Sequence, residues 1–221
     1  MSNNPTMTDI GAEIQPLVTH SGITVPMLLD NVDTDQIIPS REMKKVSKQG
    51  LAEGLFAGQR YLPSEGNARA LNPDFILNQQ AYAGATILLS RKNFGCGSSR
   101  EHAVWAMLEY GFRVIIAESF GSIFRTNCLR NGILPISLDS EVITLLHQEV
   151  ISDHKENRIN IDVANTAVTS PSGEHFSFQL EPHFQEMLIG GLDFIALTLK
   201  RKDEIAQFIQ QDTINRPWAY L

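Results

Sequence analysis

Cysteine is scarce: the 221-residue chain has two, Cys96 and Cys128. They form no C-x-x-C pair, and two thiolates do not supply the roughly three or four ligands of an iron–sulfur cluster. Any such cluster would have to come from another chain. Sequence alone does not exclude a disulfide between them, but a cytoplasmic setting argues against one. Basic charge is also sparse. Eighteen Lys and Arg face 25 Asp and Glu, for a net charge of -7, and no basic stripe is present. This makes nucleic acid and anionic membrane poor candidates as partners. No apolar run approaches the roughly 18 residues of a membrane span. Met1 to Ile10 lacks the basic and apolar regions of a secretory signal and reads as part of a loose tail, residues 1–12. The expected location is the cytoplasm. Asp30, Asp33 and Asp35 lack the glycine and distal glutamate of a calcium loop, so no metal site is expected and a turn role fits them better.

What the chain does have is apolar mass. With 43% hydrophobic residues it supports one core-bearing domain, expected over residues 13–213, with a short C-terminal tail at 214–221. Ile14 to Thr19 and Ile23 to Leu29 read as a hairpin about Ser21-Gly22. Glu42 to Ala52 reads as a short helix. Residues 53–73 form a long, punctuated but unusually apolar loop, a length at which loops tend to be functional. The centre is clearest. Ala85 to Leu89, Arg113 to Ala117 and Ile133 to Leu138 read as strands. Ser99 to Tyr110 and Phe120 to Asn131 read as the helices between them, ending at Gly111 and Gly132. Strand–helix alternation predicts a parallel sheet with right-handed crossovers. A helix over Glu141 to Ser152 follows, then a hairpin between Arg158 and Leu180 about Pro171-Ser172-Gly173. The end reads as a helix near Glu181 to Leu188, a strand at Phe194 to Leu199 and a helix at Asp203 to Asp212. The whole predicts a three-layer β/β/α domain: a mixed sheet with a parallel strand–helix–strand core and flanking antiparallel hairpins.

The segment Asn93-Phe94-Gly95-Cys96-Gly97-Ser98-Ser99-Arg100-Glu101-His102 carries the chemistry. It lies between a strand and a helix. Its glycines permit positive φ and close approach to a ligand. The following helix N-terminus offers unpaired N–H groups and a positive dipole end. Arg100, placed in the first turn, adds a fork that matches a carboxylate. No lysine follows the glycines, so the segment is not a nucleotide P-loop, and a small carboxylate fits it better than a triphosphate. A plainer reading stands beside this one. Ser98 and Glu101 have the spacing of a capping box, and a serine committed to the cap is less free to act as a base. If Ser99 caps instead, Ser98 is left facing the ligand.

The stretch Gly95 to His102 resembles the signature of the aconitase and isopropylmalate isomerase superfamily, in its swivelling domain. Asp33-Thr34-Asp35-Gln36-Ile37-Ile38-Pro39 resembles the early motif of isopropylmalate dehydratase small subunits. Glu118 to Asn127, Gly132-Ile133-Leu134-Pro135, Gly191-Leu192-Asp193 and Leu197-Thr198-Leu199 extend the likeness, in order, from about His20 to Glu204. The resemblance implies the small subunit of a heteromeric hydro-lyase of leucine biosynthesis. Its reaction would isomerise 2-isopropylmalate to 3-isopropylmalate through the alkene. It implies Ser98 as catalytic base, with Ser99, Arg100 and Gly97 as substrate-binding neighbours and Asp33, Thr34 and Asp35 as site wall. It also implies no cofactor in this chain, a 4Fe-4S cluster in a large-subunit partner, and a small dicarboxylate substrate. Two alternatives remain open: a related dehydratase of the citramalate or homoaconitate type, and a non-catalytic carboxylate-binding module.

Other residues carry two readings each. Arg41 is read either as meeting a substrate carboxylate or as a surface arginine. Leu55, Phe56, Tyr61 and Leu62 either form an apolar wall for a branched alkyl group or pack under their loop or against a partner; the two stand equal. His102 reads as structural, capping Ser99. Cys96 is not needed for the chemistry, and Cys128 reads as core.

Overall fold

The computed structural model describes residues 14–43, 49–63, 69–153 and 158–220. Eight strands among them form two four-stranded sheets. Strands β2 (Thr24–Pro26), β3 (Ile87–Leu89), β4 (Val114–Ala117) and β5 (Leu134–Ser137) pair side by side, all parallel. Strands β1 (Thr19–Gly22), β6 (Ile159–Asp162), β7 (Ala167–Thr169) and β8 (His175–Ser177) pair in that order, all antiparallel. The three layers and the parallel core are as expected; the core sheet is purely parallel, and the antiparallel strands form the second β layer.

The parallel strands are apolar on both faces because both faces are covered. Ile87, Leu89, Val114, Ile116, Leu134 and Ile136 point to one side. There they meet Ile159, Ile161 and Val168 of the antiparallel sheet, helix α5 (Ser140–Ser152) and helix α6 (Pro182–Gly190). Leu88, Ile115 and Ala117 point to the other side. They pack under helices α3 (His102–Tyr110) and α4 (Ser122–Arg130), with the short helices α1 (Thr34–Ile37) and α2 (Ala57–Arg60). This second layer carries the serine segment.

Four expectations are corrected. The first two strands are no hairpin, since β1 joins the antiparallel sheet and β2 the parallel one. Helix α3 starts at His102, three residues later than its apolar period suggests. Residues Phe194–Leu199 form helix α7, not a strand, because the Asp193 carboxylate accepts the Ala196 N–H at 2.7 Å and caps the turn. In the expected helix at Glu42 to Ala52, residues 44–48 lie outside the described residues; Ser40–Glu42 and Ala52–Gly54 on either side are single 3-10 turns. Helix α8 (Lys202–Asn215) continues into a 3-10 turn at Pro217–Tyr220, tied back by Arg216 and the Tyr220 hydroxyl to Asp212. No helix among the described residues is long and apolar enough to cross a membrane.

Candidate active site

The serine segment leaves the carboxyl end of β3, where ligands of parallel sheets bind. The backbone there extends the sheet beyond its regular strands. Gly95 N–H donates to the Val32 carbonyl at 2.7 Å, and Thr34 N–H to the Cys96 carbonyl at 2.9 Å. On the far side Phe94 N–H donates to the Ser119 carbonyl at 3.0 Å, and Gly121 N–H to the Phe94 carbonyl at 2.9 Å. Three stretches distant in sequence, 32–34, 94–96 and 119–121, thus lie side by side. The contact needs glycine. A Cβ at Gly95, whose φ is +72°, would sit 2.2 Å from the Phe124 ring, and one at Gly121 would sit 2.6 Å from the Gly95 carbonyl oxygen. At Gly97 there is room for a Cβ; the requirement there is the φ of +96°.

Ser98, Ser99 and Arg100 lie before α3, not in its first turn. Residue Glu101 stands at the N-cap with no side-chain cap bond, so neither serine caps and the expected capping box does not form. Ser98 is committed elsewhere. Its N–H donates to Thr34 Oγ1 at 2.9 Å, and Thr34 Oγ1 donates in turn to the Ser98 carbonyl at 3.4 Å. The Ser99 carbonyl accepts from Asn127 Nδ2 at 3.3 Å. Arg100 is exposed, with Nη1 donating to Ser40 Oγ at 3.4 Å, and Ser40 Oγ reaches Asp35 Oδ1 at 3.5 Å.

Thr34, Asp35, Ser98 and Arg100 line one small cleft, closed on its apolar side by Ile38, Met43 and Ala103. It combines a serine hydroxyl, a guanidinium and the N-terminus of a nine-residue helix, a set suited to a small carboxylate. Asp33 faces its own turn, where its carboxylate accepts the Gln36 N–H at 2.7 Å. Arg41 is exposed and pairs with Glu42 at 3.4 Å, outside the cleft lining. Leu55 and Phe56 are fully buried in the core. Of the other two loop residues, Tyr61 is half-buried with its hydroxyl on the Glu53 carbonyl at 3.0 Å, and Leu62 is exposed. Apolar wall next to the serine comes instead from Ile38 and Met43, signalled in sequence only by the apolar pair ending the Asp33–Pro39 motif. The His102 ring lies 4.9 Å from that of Trp105, and its Nδ1 is buried without a partner among the described residues, so it provides no cap through that atom. Both cysteines are free thiols; burial pushes Cys128 well up in pKa, as a core residue. Among the described residues no group of three or more His, Cys, Asp or Glu is placed to hold a metal ion. A larger groove of about 770 Å³ lies between α6, α7 and α8, and none of the candidate site residues read from sequence lines it.

Comparison with known proteins follows the same lines. A family model described as the aconitase C-terminal domain matches residues 14–141. The 3-isopropylmalate dehydratase small subunit of Cupriavidus necator is 48% identical over 207 residues, 94% of this chain and 99% of that protein. The protein of the same name from Neisseria meningitidis is 47% identical over 205 residues, covering 90% and 96%. Among solved structures, the 3-isopropylmalate dehydratase of Methanocaldococcus jannaschii superposes with a TM-score of 0.61 at 25% identity, over 86% of this chain and 98% of that one.

Proposed function

The chain belongs to the family of 3-isopropylmalate dehydratase small subunits, within the aconitase superfamily, and from that premise we propose that Ser98 is the base that isomerises 2-isopropylmalate to 3-isopropylmalate. Members of this family are hydro-lyase subunits of leucine biosynthesis, and a small subunit has a large one as its partner. On this reading the pair works in the cytoplasm.

The observation that carries the proposal is the convergence of Thr34, Asp35, Ser98 and Arg100 on one cleft at the end of the parallel sheet. Arg100 grips a carboxylate of the substrate and Ser98 Oγ takes the proton from the carbon beside it. A serine hydroxyl is a weak base, so it has to work as an alkoxide. The positive end of α3 and the Arg100 guanidinium both favour that charge. Gripping the carboxylate also makes the neighbouring C–H more acidic. The proton leaves carbon for Ser98 as hydroxide leaves the adjacent carbon; the return step delivers proton and hydroxide to exchanged positions. Ser99 and Gly97 shape the backbone around the substrate.

The residues of this chain do not fit an iron–sulfur cluster: Cys128 is buried in α4 and Cys96 is half-buried on the serine segment with no second thiolate to join it. A 4Fe-4S cluster is assigned to the large subunit, where it would supply a Lewis acid for the leaving hydroxyl. On this reading the alkyl group of the substrate lies against Ile38 and Met43.

Ser98→Ala in the reconstituted pair tests the assignment. Turnover of 2-isopropylmalate should fall by about 10²–10⁴-fold while circular dichroism and thermal midpoint stay near those of the unaltered chain. A carboxylate-binding module with no catalytic part would keep turnover nearly intact. A preference for homocitrate or citramalate over 2-isopropylmalate would reject the substrate assignment.

A further inference from the structure

Thr34 is almost fully buried at 4% exposure, although it is polar and belongs to a helix of only four residues. Its hydroxyl is engaged by one residue. It accepts from the Ser98 N–H at 2.9 Å and donates to the Ser98 carbonyl at 3.4 Å, while its own N–H holds the Cys96 carbonyl at 2.9 Å. The side chain therefore brackets Ser98 on both peptide planes, and together with its backbone N–H the residue spans Gly97, which lies between Cys96 and Ser98. Threonine is stiff at χ1 because it is β-branched, so the bracket is rigid. Asn127, buried at 6% on α4, holds the next carbonyl, that of Ser99, from the opposite flank at 3.3 Å.

We infer that Thr34 is a positioning residue for the reaction: its hydroxyl fixes the backbone of Ser98 and so aims the Ser98 hydroxyl at the substrate. This rests on the reading of Ser98 as the base. The segment needs such a device because it precedes α3 and so lacks the intrahelical hydrogen bonds that would otherwise fix it. A hydroxyl that must meet a C–H bond tolerates little displacement, since a shift of about 1 Å at a reacting group costs on the order of 10²-fold in rate. Thr34 borders the cleft, but its hydroxyl is engaged by the Ser98 backbone, so in this scheme it acts through Ser98.

The test uses Thr34→Val, which keeps the shape and removes the hydroxyl, and Thr34→Ser, which keeps the hydroxyl. In the complex with the large subunit, Thr34→Val should lose about 10- to 100-fold in kcat with KM changed by no more than about twofold. Thr34→Ser should recover most of the loss. Combined with Ser98→Ala, Thr34→Val should cause no further loss, because coupled residues are non-additive. Amide hydrogen exchange at Ser98 should be faster in Thr34→Val than in the unaltered chain. Unchanged exchange, or an unchanged kcat in Thr34→Val, overturns the positioning role. So does a loss that appears equally in kcat and thermal midpoint and is not recovered by Thr34→Ser. If Ser98→Ala proves active, the base assignment fails by itself, and the exchange measurement still judges the bracket.

Discussion

Arg100 shows how far single residues can be read. Its place beside two serines and a helix start marks it as a carboxylate fork, and the structure leaves its guanidinium exposed beside the serine cleft with one hydrogen bond to Ser40. Lysine keeps the charge and loses the planar pair of donors. Arg100→Lys should therefore lose about 10- to 100-fold in kcat/KM for 2-isopropylmalate, the equivalent of about 1.5–3 kcal/mol for hydrogen bonds to a charged group. Steady-state kinetics of the reconstituted pair measure this, and an unchanged kcat/KM would remove Arg100 from the clamp. The capping reading that stood beside the site reading fails for a reason that lies outside the segment. A capping box is a rule about neighbours in sequence, and the group that outcompetes it, the Thr34 hydroxyl, is 64 residues away. Leu55 and Phe56 were ambiguous for a related reason. An apolar residue in a loop reads equally as ligand wall or as packing, and here the loop folds its own side chains into the core.

At the scale of elements, strand and helix were told apart well where period and length agreed, as in β4, α4 and α5, and badly where an element was short. Helix α7 has six residues, and Phe194-Ile195-Ala196-Leu197-Thr198-Leu199 has the composition of a strand; a single carboxylate, Asp193, decides it. A comparable device holds the loop that packs on α3. Glu109, in the last turn of α3, accepts the backbone N–H groups of Gly50, Leu51 and Ala52 at 2.5–2.8 Å. Burial alone would raise its pKa, but these three donors together outweigh burial and hold the carboxyl below its ordinary value of 4.5. A depressed carboxylate stabilises the fold above its unfolded pKa, and the contribution disappears as pH falls through its lower folded value. Glu109→Ala should thus cost about 1 kcal/mol at neutral pH, at the low end because the carboxylate meets solvent. Urea unfolding of the two proteins should show the gap shrinking as pH falls below the ordinary carboxylate range. A gap that stays constant with pH would assign the loss to packing instead.

At the scale of the molecule, the parallel core was legible because three apolar runs alternate with two amphipathic helices, a pattern with few topological solutions. Which sheet each early strand joins was not, since pairing between β1 and β6 joins residues such as His20 and Ile161 that no local signal connects. In the scheme proposed above, Ser98 and Arg100 provide a proton acceptor and an anion clamp, both acting on the carboxylate side of the substrate. Departure of hydroxide from the neighbouring carbon needs an acid at the opposite side, and Arg100 is already engaged. That acid belongs to the large subunit in the scheme proposed above, so the two chains hold complementary halves of one site. The purified chain should therefore show no turnover of 2-isopropylmalate above background. Activity should rise as the large subunit is added and level off once every copy is paired, because each catalytic site needs one contribution from either side. The Ser98→Ala chain should compete with the unaltered chain for the large subunit and lower the plateau in proportion to its share, since Ser98 acts in the cleft and the alanine variant still folds and docks. Turnover by the isolated chain, or a plateau indifferent to the added variant, would show that the two halves are not shared in this way.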